Sequence, residues 1–214
     1  MSRCYPLTAV PASLRGWLSV IALLMSAFVS VPACAAPTGP RAVVRATSER
    51  LLVVLQQQGA ADRGQLYQAV DRIILPNMDF RRMSRWVLGV YWRRASPDQR
   101  KHFVAEFRTL LVRTYVTALE QYHDQKIRCL PVAVKPGATD VTVRTQILPA
   151  NGPSVPVAYR MHLAQGQWKA YDVTIDGMSL VANYRASFAG QVQAGGLDRL
   201  IQQLATRNRQ GSAS

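Results

Sequence analysis

Trp168-Lys169-Ala170-Tyr171-Asp172-Val173-Thr174-Ile175-Asp176-Gly177-Met178-Ser179-Leu180-Val181-Ala182-Asn183-Tyr184-Arg185-Ala186-Ser187-Phe188 decides the fold class of this chain. Up to Ile175 apolar and polar residues alternate as in a half-buried strand. Asp176-Gly177 then turns the chain, and the apolar residues beyond it return at helical spacing. Ser179 is placed to cap that helix, which is expected to run to about Gln193. No catalytic grouping interrupts the strand, turn and helix, which suggests a binding scaffold.

Working back from this stretch, Ile127 to Val134, Asp140 to Leu148 and Val155 to Leu163 also alternate, and turn signals separate them at Pro136-Gly137, Asn151-Gly152 and Gln165-Gly166. With Gln167 to Ile175 they predict a four-stranded antiparallel meander. Its apolar face is expected to carry Val141, Val143 and Ile147, then Val155, Val157, Tyr159 and Met161, then Tyr171, Val173 and Ile175. Arg144, Arg160, His162 and Asp172 fall on the other face.

Four helices are predicted ahead of the strands. Arg41 to Gln58 carries Val44, Thr47, Leu51, Val54 and Leu55 on one stripe, and Gly64 to Leu75 is stopped by Pro76. Asp79 can cap a third helix bearing Phe80, Met83, Val87 and Leu88, which ends at Gly89. Ser96-Pro97-Asp98-Gln99 is a capping box that opens the longest, with Phe103, Phe107, Leu110, Leu111, Thr114 and Tyr115 at helical spacing. Gly195-Gly196 is expected to divide the helix begun at Ser179 from a last one bearing Leu197, Leu200, Ile201 and Leu204. The class is α+β: helices over one face of a curved four-stranded antiparallel sheet.

The front of the chain reads as an export signal. Arg3 and Arg15 precede an apolar run from Trp17 to Val31, too short to span a bilayer, and Ala33-Cys34-Ala35 offers small residues for cleavage. Cleavage near Ala35 would leave one domain over residues 36–205 and a flexible polar tail over 206–214, outside the cytoplasm. Lipidation at Cys34 within Val31-Pro32-Ala33-Cys34 is the rival reading. Cleavage would also remove Cys4 and Cys34, leaving Cys129 without a disulfide partner.

The 26 basic residues outnumber the 12 acidic ones, for a net charge of +14. Loss of Arg3 and Arg15 would leave 24 and 12. Export and the scatter of Arg81, Arg82, Arg85, Arg93, Arg94, Arg100, Lys101, Arg108 and Arg113 argue against nucleic acid. Attraction to anionic membrane surfaces or acidic partner proteins remains, beside a surface that merely keeps the chain soluble.

An enzyme finds little support in the pattern. Gly177-Met178-Ser179-Leu180-Val181 lacks the closing glycine of a nucleophile elbow, and His102, His123 and His162 have no metal-ligand spacing. No cofactor is called for. A hydrolase or transferase assembled from distant residues is the weaker alternative.

Asp79-Phe80, Leu88-Gly89 with Trp92, Gln99-Arg100 with Phe103 and Phe107, Tyr115, Tyr159, Trp168 with Tyr171-Asp172-Val173, Gly177 with Ser179-Leu180-Val181, Asn183-Tyr184-Arg185, Phe188, Gly196-Leu197 and Leu204 follow one another in an order and spacing that resembles the MlaC family, also called toluene-tolerance or ABC-transporter auxiliary proteins. The resemblance implies a periplasmic carrier that binds a phospholipid as cargo, its acyl chains buried and its head group near solvent. It also implies partners: an outer-membrane lipoprotein complex and the substrate-binding component of an inner-membrane ABC transporter, which together maintain outer-membrane lipid asymmetry. A hopanoid cargo is the alternative drawn from relatives.

Physical chemistry asks the same of any lipid carrier. At roughly 0.8 kcal/mol per methylene, a tail of about 16 carbons costs on the order of 10 kcal/mol in water, and an apolar pocket offsets that. Tyr159, Met161, Val173 and Ile175 on the sheet, facing Phe80, Met83, Phe103, Phe107, Leu111 and Tyr115 on helices, are the candidate lining, with Val87, Tyr171, Leu180 and Tyr184. A solid core would use the same residues. Asp172 and Arg185 are expected to form an ion pair locking strand to helix, with Asn183 structural. Tyr115 and Tyr184 either pack or hold a hydroxyl at the pocket mouth.

Overall fold

Positive-φ turn residues set the sheet. The computed structural model describes residues 39–58, 63–120 and 125–210. Within them β1 (Lys126–Cys129), β2 (Asp140–Leu148), β3 (Val155–Ala164), β4 (Gln167–Ile175) and β5 (Met178–Ser179) form one antiparallel sheet in chain order. The four expected strands are present, and the fifth is a two-residue addition. Asp176 (φ 49°) and Gly177 (φ 80°) make a turn tight enough to pair Met178 with Ile175. Gln165 (φ 50°) and Gly166 (φ 77°) do the same between β3 and β4. β1 is shorter than predicted. After Leu130 donates to the Arg144 carbonyl, Pro131 has no N–H with which to continue the ladder.

The β3–β4 pairing departs from strict alternation. Tyr159 faces Val173 and Arg160 faces Asp172, but Met161 faces Ala170, so Tyr171 is the extra residue of a bulge. Beside it the Asp79 amide donates to the Ala170 carbonyl at 2.8 Å and Met78 bridges to Ala170, which ties the start of the next helix to the sheet.

The helices are α1 (Pro40–Gln58), α2 (Arg63–Ala69), α3 (Phe80–Leu88), α4 (Val90–Arg94), α5 (Pro97–Glu120) and α6 (Leu180–Gln210). Between α2 and α3 the chain passes through a π turn (Val70–Ile74) and a 3-10 turn (Leu75–Asn77), where an uninterrupted helix to Leu75 was predicted. Asp79 Oδ1 accepts from the Arg82 amide and caps α3. The Ser96–Gln99 capping box forms in both directions, at 2.9 and 3.1 Å. Gly196 (φ 78°, ψ 169°) is the expected break; the two predicted helices meet there as a kink in α6. The polar tail expected from Thr206 is a correction: α6 runs to Gln210, because buried Asn208 donates to both the backbone carbonyl and the carboxylate of Glu106.

The expected Asp172–Arg185 ion pair is also corrected. Asp172, 2 % exposed, accepts from the Ser179 hydroxyl at 2.8 Å and from the Val181 amide at 3.1 Å. Ser179 Oγ in turn accepts from the Ala182 amide. The free amides at the start of α6 claim this carboxylate, and its nearest cation is Arg160, 4.0 Å away. Arg185 and Asn183 lie exposed on α6.

Three apolar clusters hold these elements together. Phe103, Phe107 and Phe188 centre the first, where α3 to α6 meet, with ring centroids 5.6–6.1 Å apart. Val43 and Val44 of α1 sit on Val143, Met161, Trp168 and Ala170 of the sheet in the second. Leu51, Leu55, Leu66, Val70 and Val116 join α1, α2 and α5 in the third.

Candidate functional site

A cavity of about 460 Å³ is bounded by residues of all three clusters. That volume is within the ~300–1,000 Å³ usual for ligand sites. Its sheet wall is Ile127, Ile147, Val157, Tyr159, Met161, Ala170, Val173 and Ile175. Ile74, Leu75, Met78, Phe80 and Met83 form another side, and Leu111, Val112, Tyr115, Val116 and Leu119 of α5 a third. Ile74, Val112, Ile147, Val173 and Ile175 all line it yet are only half-buried. A filled core would bury them, so the space between helices and sheet is hollow.

No charged side chain lines the cavity among the described residues. Its polar groups are Thr47, Ser48, Asn77, Tyr115, Gln125 and Tyr159. Asn77 is committed to structure: its amide donates to Thr47 Oγ1 at 3.0 Å and to the Ile73 carbonyl at 2.9 Å, joining the π turn to α1. Arg41 donates to the carbonyls of Cys129 and Leu130, fastening the first turn of α1 to the end of β1. Burial raises the Tyr115 phenol, with a smaller push from Tyr184. Burial also raises the phenol of Tyr159, which lines the cavity. The Cys129 thiol is raised for the same reason.

Nine of the fourteen predicted lining residues border the cavity: Phe80, Met83, Leu111, Tyr115, Tyr159, Met161, Val173, Ile175 and Leu180. The other five do not. Phe103, Phe107, Val87 and Tyr184 belong to the aromatic cluster, because their positions on α3, α5 and α6 face one another. Tyr171 leaves the cavity-facing set through the bulge; its ring lies under the guanidinium groups of Arg82 and Arg160 and beside His162. Seven α1 residues from Val43 to Leu55 line the cavity and were missed as such. Their signal was present, since Val44, Thr47, Leu51 and Leu55 form the predicted stripe, but periodicity does not say what a stripe faces.

The groups weighed for catalysis have structural partners. Ser179 and Asp172 cap α6, and His162 Nε2 lies 2.8 Å from Asp79 Oδ2, outside the cavity lining. His102 is exposed on α5, and His123 falls outside the described residues. Among the described residues no three His, Cys, Asp or Glu side chains are grouped as a metal would require, and no helix is long and apolar enough to cross a membrane. Arg81, Arg85, Arg93 and Arg94 are exposed, whereas Arg82 pairs with Asp140 at 3.0 Å and Arg108 with Asp71 at 2.8 Å.

The profile of the MlaC protein family matches residues 45–206. The chain is 26% identical over 194 residues to the intermembrane phospholipid transport system binding protein MlaC of Haemophilus influenzae, covering 88% of this chain and 91% of that one. It is 30% identical over 163 residues to the toluene tolerance protein ttg2D of Pseudomonas putida, covering 74% and 75%. Its fold superimposes, with a TM-score of 0.73 and 31% identity, on a phospholipid-binding protein of Ralstonia solanacearum solved in complex with a phospholipid, covering 80% of this chain and 97% of that one. A hollow, apolar cavity in this α+β frame and a profile match spanning most of the chain together place it in the MlaC family.

Proposed function

We propose that the chain is a periplasmic phospholipid carrier and not an enzyme. The observation that carries this reading is the cavity: apolar, free of charged lining among the described residues and walled by half-buried aliphatic side chains. The phospholipid complex of the Ralstonia relative and the transport role in the name of the Haemophilus relative support it. Residues 1–35 are the export signal, cleaved near Ala35. Acyl chains occupy the space between α1, α5 and the sheet, with the head group toward solvent. The lipid passes between an outer-membrane lipoprotein complex and the substrate-binding component of an inner-membrane ABC transporter, in the service of outer-membrane lipid asymmetry. Anionic membrane surfaces attract the carrier through its excess of basic side chains.

Native mass spectrometry of the exported protein is expected to show about one phospholipid per chain, and delipidation to lower its thermal stability, because a ligand bound only by the native state stabilises it. A lipid-free chain of equal stability would sink the reading. Transfer to anionic liposomes is expected to slow as salt rises, and in a variant with Arg81, Arg82, Arg93 and Arg94 reversed in charge. The Debye length falls from roughly 30 Å at 0.01 M to 8 Å at physiological salt. Transfer indifferent to both removes the electrostatic part of the proposal.

A further inference from the structure

A second, smaller cavity of about 210 Å³ lies where the end of α3 and the start of α4 meet α6. Val87, Leu88 and Val90 face Phe188, Ala189 and Val192 across it, and among the described residues Arg185 supplies the one charge in its wall. Arg82 pairs with Asp140, Arg100 donates to the carbonyls of Trp92 and Arg93, and Arg160 lies over the rings of Trp86 and Tyr171. Among the described residues Arg185 has no ion pair, no hydrogen bond and no ring contact. Gly89 leaves room for the guanidinium beside the pocket. Its φ of 55° with ψ of −117° suits glycine alone, and a Cβ there would stand 3.3 Å from Arg185 Nη2. Val90, 49 % exposed, brings a bare apolar side chain to the same wall.

This volume falls below the ~300 Å³ at which small-molecule sites begin, and it fits one side chain. We propose that the pocket is the docking point for a partner protein that inserts a branched apolar side chain next to a carboxylate, the side chain filling the pocket and the carboxylate engaging Arg185. A single deep apolar anchor beside an arginine is the pattern that concentrates binding energy at protein interfaces. A planar guanidinium grips a carboxylate through two parallel hydrogen bonds. The 24 basic against 12 acidic residues that remain without Arg3 and Arg15 favour an acidic partner over a basic one. A bilayer is too flat to fill the concavity.

N-acetyl-leucine is a minimal probe of that chemistry and N-acetyl-leucinamide its uncharged control. With the folded full chain observed by amide NMR, the acid is expected to bind in the range of about 1–10 mM. Shifts should centre on Gly89, Val90, Arg185 and Ala189, and the amide should bind at least about tenfold more weakly. Arg185→Gln should reduce the acid to the level of the amide. Ala189→Trp, which fills the pocket from an exposed position, should abolish both. Each variant should melt with the parent and keep its lipid. Absent shifts at these residues, or equal binding of acid and amide, overturn the proposal. So does loss of binding to phosphatidylglycerol vesicles in Arg185→Gln without any response to N-acetyl-leucine, which would assign the surface to a membrane.

Discussion

Two neighbouring regions of this molecule are built from the same kinds of residue and do opposite things. In the aromatic cluster Phe103 and Phe107 are 0 % exposed, with Tyr184 and Phe188 edge-on to Phe107. Across Met83 and Leu111, which touch both regions, the cavity leaves Val173, Ile175 and Ile147 half-buried around empty space. Flat rings stack and interlock to fill volume, whereas the aliphatic sheet face meets α1 and α5 only along its borders. Stability therefore resides in one region and capacity in the other, and substitutions should separate them.

Phe107→Ala is expected to have the largest effect, a loss of about 3–5 kcal/mol in denaturant unfolding, because it opens a void among fully packed rings. The lipid carried per folded chain should change little. A cost below about 1 kcal/mol would mean that this cluster is as loose as the cavity and erase the contrast.

Val173→Glu should show the reverse. The new carboxylate reaches space and can hydrate once lipid is gone, so the fold should lose about 1–2 kcal/mol while copurifying lipid falls at least about tenfold. Met161→Glu sharpens the point, since Met161 also lines the cavity but is 1 % exposed and packed against Val43 and Val44 under α1. It should cost folding as well as lipid. Similar behaviour of the two variants, measured by circular dichroism beside lipid content, would return both positions to a solid core.

The smallest effect is expected from Tyr159→Phe, within about 1 kcal/mol at neutral pH. Burial raises the native phenol above its ordinary 10.0, so the native state holds its proton longer than the unfolded chain does. The stability this contributes is fully present below pH 10.0 and is lost as pH rises through the native value. Removing the hydroxyl should flatten that alkaline decline in a pH series of unfolding curves. An unchanged decline would place its source elsewhere.

Much of this division was legible in the sequence. Period-two alternation and positive-φ turn residues located β2 and β4 to the residue, and Asp79, Ser96 and Ser179 marked three helix starts through their capping chemistry. Hollow and filled space were not legible, because Phe107 and Phe80 give the same periodic signal and only tertiary packing sends one to a stack and the other to a wall. Arg185 read as the partner of Asp172 because spacing shows opposite charges near one another. It does not show that unpaired amides at the start of α6 will claim the carboxylate first.

The bulge at Tyr171 puts a constraint on chain length that no side chain reveals. Pleating repeats every two residues, so one extra residue inverts the parity of everything beyond it. On the Val173 side the strand shows the cavity its odd-numbered positions, and on the Ala170 side its even-numbered ones. A chain shortened by one residue between Lys169 and Asp172 would barely change in composition or mean hydropathy. It would still present the wrong half of the strand to the lumen, and Met78 and Asp79 would lose the carbonyl that anchors them. At this point the number of residues is held as tightly as the identity of any one of them.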